Sequence, residues 1–240
     1  MATGKPTPFR SLLAAVWIVM STVVYATVTI VSALFSRSLA REIGRAWCRH
    51  LLAVAGVTIE VTGLEKLQPR RRYVFVSNHQ SALDIPLIIG GLKHHVSFIA
   101  KRELFMIPFF GWGIYMLGHV WIDRSNARKA RRSITRAVAT LKREGISLII
   151  FPEGTRSPDG RVREFKKGSF TLALESGVEV VPVAIEGTHD ILPKKAVAVR
   201  PGTARLHIAT PIPTEGLRRT DKASLAERSR EQILTMLGER

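Results

Sequence analysis

Downstream of Gly56 the chain repeatedly switches between two textures. Short runs rich in β-branched and aromatic residues alternate with stretches whose apolar residues recur at helical spacing. Strands are predicted at Val57–Val61, Tyr73–Ser77, Val96–Ile99, Val120–Ile122, Ser147–Phe151 and Val180–Ile185, with a pair near Ala196–Val199 and Ala204–Ile208. Helices are predicted at Leu83–Gly91, Asn126–Glu144, Ser169–Ser176 and, after the turn-rich TPIPTEG, Lys222–Leu237. In Asn126–Glu144 the residues Ala130, Ile134, Val138 and Leu141 share one face, with Arg and Lys on the other. Strands separated by helices build a mostly parallel sheet flanked by helices, so the fold class is α/β, with one core from about residue 57 to 240. The 240 residues suffice to bury such a core.

Open α/β sheets bind ligands beyond the carboxyl ends of their strands. Three polar clusters follow strands directly: SNHQSALD after Val76, DRSNAR after Ile122, and PEGTRS after Phe151. The expected geometry brings all three to one edge. The first holds His79 and, five residues on, Asp84. A neutral imidazole accepts a proton near neutral pH, and a carboxylate on its other nitrogen fixes the tautomer. Five residues is a poor match to one helical face, so His79 belongs in the turn and Asp84 in the first helical turn, where Pro86 is tolerated. Taken alone, the same spacing also describes a capping Asp beside a half-buried His, and the motif by itself favours that structural reading. In the third cluster Pro152 stops the strand and Gly154 permits close backbone approach. Thr155 offers a hydroxyl, and Arg156 a bidentate fork for a phosphate. Glu153 would hold the loop or bond a ligand hydroxyl, while Lys166 and Lys167 add charge. Arg124 ends the second cluster, and Lys101 follows a further strand.

Lys and Arg total 36 against 19 Asp and Glu, a formal charge of +17. Such an excess points to nucleic acid, an anionic membrane or phosphorylated substrates. The amino terminus separates these. Ser11–Ser36 runs 26 residues without a charge, about 39 Å as a helix, against a hydrocarbon core of roughly 30 Å. Arg37, Arg41, Arg45 and Arg49 then recur every fourth residue, a basic stripe expected to meet lipid phosphates. Residues 1–56 therefore form membrane-binding helices ahead of an α/β domain at 57–240. With aromatic residues at 7%, base stacking has little support, and no nucleic acid is expected. The lone Cys48 excludes a disulfide or Cys-based zinc site within one chain. His94 and His95 lack further ligands at metal spacing.

NHQSALD (78–84), GHVWIDR (118–124), FPEGTR (151–156) and VVPVAI (180–185) resemble, in order, the four sequence blocks of the glycerolipid acyltransferase family. FIAKREL and IPFFGW, between the first two, are similar to the 1-acyl-glycerol-3-phosphate branch. Trp121 stands where Phe is usual, which leaves the role of Arg124 intact; Ala82 stands where a bulky aromatic is common, which bears on acyl-chain or acceptor preference. The resemblance implies that His79 is the general base and Asp84 its orienting partner. It implies that Lys101, Arg124, Glu153, Gly154, Thr155 and Arg156 hold the glycerol phosphate of a lysophospholipid acceptor. The donor would be acyl-coenzyme A or acyl-carrier protein, with no covalent intermediate and no cofactor or metal. The protein is then expected at the cell membrane, with its catalytic domain on the cytoplasmic side. A different lysolipid acceptor, or a non-enzymatic basic binding role, would be the alternatives.

Overall fold

The computed structural model describes residues 8–122, 127–196 and 198–239. Two helices lead, α1 (Pro8–Phe35) and α2 (Arg37–Val54), joined at Ser36, whose hydroxyl accepts from the Leu39 N–H and caps α2. Seven strands follow: β1 (Val57–Thr62), β2 (Val74–Ser77), β3 (Val96–Lys101), β4 (Val120–Ile122), β5 (Ser147–Ile150), β6 (Val180–Glu186) and β7 (Gly202–Ile208). The helices between and after them are α3 (Asp84–Gly91), α4 (Phe110–Met116), α5 (Ala127–Glu144), α6 (Thr171–Ser176), α7 (Thr188–Ile191) and α8 (Lys222–Leu237).

The strand order is β1-β7-β6-β2-β5-β3-β4. The five strands from β6 to β4 run parallel, and β7 turns antiparallel to β6, with β1 parallel to β7. β2, β5 and β6 are buried on both faces except at the end of β6, as their unbroken apolar runs require of central parallel strands. One apolar layer, with Phe75, Leu87, Ile88 and Leu206, lies toward α3. The other, with Val74, Leu141, Leu148 and Phe170, lies toward α5 and α6.

The mostly parallel sheet and its flanking helices agree with the sequence reading. Helices α4 and α7 are additional to the predicted ones, and two further details depart from the sequence reading. Ala196 and Val199 belong to no strand, because β7 already has a hydrogen-bonded neighbour on each side and leaves no edge to pair with. The arginine stripe of α2 also does not point at lipid. Arg45 bonds the carbonyls of Ile89, Lys93 and His94, and Arg49 that of Gly90. Arg41 and Arg37 pair with Glu144 at 2.8 and 3.2 Å. Helix ends leave carbonyls without intrahelical partners, and the end of α3 draws the Arg45 and Arg49 guanidinium groups inward, while Glu144 of α5 holds those of Arg41 and Arg37. The stripe is therefore the latch between α2 and the α/β core.

α1 presents its apolar surface outward. Its Val16–Phe35 stretch is long and apolar enough to cross a membrane, and only 17% of the most apolar window is buried.

Candidate active site

β2 and β5 are neighbours, with Val76 opposite Ile150, so the loops leaving their carboxyl ends emerge side by side. The β5 loop grips the β2 loop through the backbone. The His79 N–H donates to Glu153 Oε1 at 3.1 Å, and the Ser157 N–H donates to the His79 carbonyl at 2.7 Å. On the other flank Asn78 clamps β6: its Nδ2 donates to the Ile185 carbonyl at 2.9 Å, and its Oδ1 accepts the Ile185 N–H at 2.8 Å. His79 thus sits on a loop held from both neighbouring strands.

Asp84 opens α3 and is completely buried. Its Oδ2 lies 2.7 Å from His79 Nδ1 and accepts the Gln80 and Ser81 N–H groups at 2.7 and 2.9 Å. Its Oδ1 accepts the Thr188 hydroxyl at 2.6 Å. A buried carboxylate needs such donors to remain an anion. With Nδ1 held by the carboxylate, Nε2 is the ring nitrogen left for chemistry. The imidazole stacks on Phe151, ring centres 4.2 Å apart, and keeps 17% of its side chain exposed.

Glu153 is 4% exposed, and among the described residues one of its carboxylate oxygens, Oε2, has no hydrogen-bond partner. Burial, opposed by the N–H groups of His79 and Arg163 and reinforced by the charge of Asp84, pushes its carboxyl up to about 7. Gly154 has φ +77°, a conformation that glycine adopts freely, and a Cβ there would lie 2.9 Å from Lys166 Nζ. Thr155 is exposed and Arg156 half-buried. Lys194, beyond α7, donates to the Thr155 hydroxyl at 3.2 Å and the Arg156 carbonyl at 2.8 Å. Lys101 is exposed at the carboxyl end of β3, one strand beyond β5. Arg124 lies outside the described residues.

Among the predicted site residues, His79, Asp84, Glu153, Gly154, Thr155 and Arg156 therefore meet on two adjoining loops, and Lys101 ends the next strand on the same edge. Sequence reasoning missed the supporting roles of Asn78, Thr188, Phe151 and Lys194. Thr188 is 104 residues from Asp84, so no local pattern could reveal it, whereas Asn78 stood inside the quoted block.

An apolar cavity of about 270 Å³ lies beside this edge, between α2, α3 and the sheet. Ala82 and Leu83 line it, three and four residues past His79, together with Trp47, Leu51, Phe98 and His119. His119 stacks on Phe98 at 3.9 Å and accepts the Phe98 N–H, and burial lowers its pKa to about 3, leaving it neutral.

Residues 58–186 match the family model described as Acyltransferase. The chain belongs to this acyltransferase family. It is 35% identical over 190 residues to 1-acyl-sn-glycerol-3-phosphate acyltransferase alpha of Ovis aries, covering 79% of this chain and 66% of that one. It is 35% identical over 174 residues to a 1-acyl-sn-glycerol-3-phosphate acyltransferase of Pseudomonas aeruginosa, covering 71% and 66%. The chain thus spans just under two thirds of these relatives' lengths. The crystal structure of the 1-acyl-sn-glycerophosphate (LPA) acyltransferase PlsC from Thermotoga maritima superposes with a TM-score of 0.76 at 32% identity, over 94% of this chain and 96% of that one. This acyltransferase therefore shares the neighbour's architecture nearly end to end, N-terminal helices included.

Proposed function

We propose that this acyltransferase moves an acyl chain from a thioester donor, acyl-coenzyme A or acyl-carrier protein, to the free hydroxyl of 1-acyl-glycerol-3-phosphate, giving phosphatidic acid. The observation that carries the proposal is the His79–Asp84 pair, with its carboxylate saturated by four donors. His79 Nε2 takes the proton of the acceptor hydroxyl as its oxygen attacks the thioester carbonyl. The tetrahedral intermediate expels the thiolate, which receives the proton back from the imidazolium. Asp84 holds the ring in one tautomer and stabilises its cationic form during the transfer. The chemistry needs no covalent acyl-enzyme, metal or redox cofactor. Cys48 is buried among apolar groups, which push its thiol up to about 12 despite nearby Arg45, and a thiol so protonated is a poor nucleophile.

The cationic groups of the β5 loop and its neighbours suit the acceptor's phosphate: Arg156, Lys166 and Lys194, with Lys101 at the end of β3 on the same sheet edge and Arg124 as a further candidate. Glu153 anchors the His79 backbone, and Gly154 and Thr155 offer the phosphate a close backbone and a hydroxyl. The apolar cavity beside Ala82 suits the donor's acyl chain. An excess of 17 positive charges and the exposed apolar α1 favour an anionic membrane surface, with the α/β domain on its cytoplasmic side.

The test is acylation by the purified protein of lysophosphatidic acid, with mixed acyl-coenzyme A donors and mass identification of the product. Phosphatidic acid as the product, lost in His79→Ala, supports the proposal. Acylation of a phosphate-free lysolipid alone would overturn the assignment of Arg156 and Arg124.

A further inference from the structure

From the end of β3 through α4 the chain builds a knob whose large apolar side chains face outward. Met106 is 72% exposed, Ile107 46%, Phe109 38%, Trp112 55% and Tyr115 66%. The knob has a defined shape. A Cβ on Gly111 would collide with the Phe105 carbonyl, so the turn packs backbone against backbone. Phe109 adopts φ +60° and ψ −60°, a conformation that side-chain-bearing residues rarely take and that persists only where the surroundings impose it.

The knob is continuous with α1. A Cβ on Gly113 would sit 3.4 Å from Ala26 Cβ, so the two helices approach closely. Ile30 of α1 lines one shallow apolar depression together with Trp112 and Tyr115. The rim is cationic: Lys101 and Arg102 are exposed at the end of β3, with the Arg102 guanidinium 5.8 Å above the Trp121 ring. Since β3 lies beside β5, the rim stands on the edge of the sheet that carries His79.

We propose that the Met106–Tyr115 knob is a second membrane-insertion element, which with α1 seats the catalytic edge of the sheet on an anionic bilayer. One helix leaves a domain free to tilt about its attachment, whereas a contact that broadens from α1 onto the domain itself fixes its face. Lipid is the occupant because exposed Trp and Tyr beside cations form an interfacial composition, and because the patch continues the surface of a helix long and apolar enough to cross a bilayer. Delivery of the acceptor from the bilayer rests on the function proposed above; insertion itself does not.

The test uses the full chain on phosphatidylcholine–phosphatidylglycerol vesicles carrying brominated acyl chains. The quenching of wild type minus that of Trp112→Phe isolates residue 112. Trp112 emission is expected to be quenched and blue-shifted. A Met106→Asp, Ile107→Asp double variant is expected to raise KM for vesicle-borne lysophosphatidic acid roughly tenfold, while leaving kcat/KM for a short-chain, monomeric acceptor unchanged. An unquenched Trp112, or equal loss on both acceptors, overturns the proposal. So does a Trp112-dependent doubling of mass in solution, which would assign the patch to a second copy of the chain. If wild type acylates neither acceptor, the function fails while quenching still decides insertion.

Discussion

Glu153→Gln probes the loop that holds His79, and its outcome follows chiefly from burial. Glu153 Oε1 accepts the His79 N–H, while Oε2 is buried without a partner among the described residues. Burial raises its carboxyl from 4.5 to about 7. The unfolded chain ionises this group near 4.5, so above that pH folding must take up a proton or bury an anion. The group's contribution is most favourable below pH 4.5 and is lost as pH rises to about 7, beyond which the cost is constant. At 1.36 kcal/mol per pH unit, the cost at pH 8 is about 3 kcal/mol, and at pH 5 under about 1 kcal/mol. Glutamine keeps the shape and the accepting oxygen without the charge, and its amide NH2 adds a cost that does not change with pH. From pH 5 to pH 8 Glu153→Gln is therefore expected to gain about 2–3 kcal/mol relative to wild type. Urea unfolding in detergent, followed by tryptophan emission from pH 5 to 8, reads the gain. Parallel stability profiles would refute the reasoning, because the carboxylate would then be compensated in the folded protein.

Three further outcomes are expected. Asp84→Asn should lower kcat by about 10³–10⁴ with little change in KM for the acceptor, because the ring loses its fixed tautomer; steady-state kinetics decide it. Glu144→Gln should cost about 1–3 kcal/mol by freeing Arg37 and Arg41 at the α2 latch. Burial opposes ionisation of Glu144, but Arg143, Arg37 and Arg41 together hold its carboxyl below the usual range. Its stabilisation is thus present above the ordinary carboxylate pKa and lost as pH falls through the lowered one, which thermal melts at pH 3 and 7 would show. Cys48 should resist maleimide in the folded protein and react on unfolding, and activity should survive that exposure to reagent; mass spectrometry counts the adduct.

How far the sequence revealed the structure depended on the distance over which each feature is encoded. The β2 run and its turn are local, so the placement of His79 in the turn and Asp84 at the head of α3 could be read from spacing and from Pro86. The adjacency of β2 and β5 could not, since strand order follows from how helices cover both faces, but the rule that strand-end loops gather at one edge anticipated the meeting of His79 with Glu153. Regular spacing reveals the α2 arginine stripe but not what it faces; its partners, the carbonyls at the end of α3 and Glu144 of α5, are distant in sequence. α4 escaped notice because Gly111 and Gly113 dilute its period over only seven residues. Asp84 joins both scales. Its bonds to His79, Gln80 and Ser81 come from a local turn, whereas its bond to Thr188 depends on β6 ending beside β2. A carboxylate in this position can remain buried and charged only if the turn and the sheet form together, so the geometry of the candidate base is tied to completion of the fold.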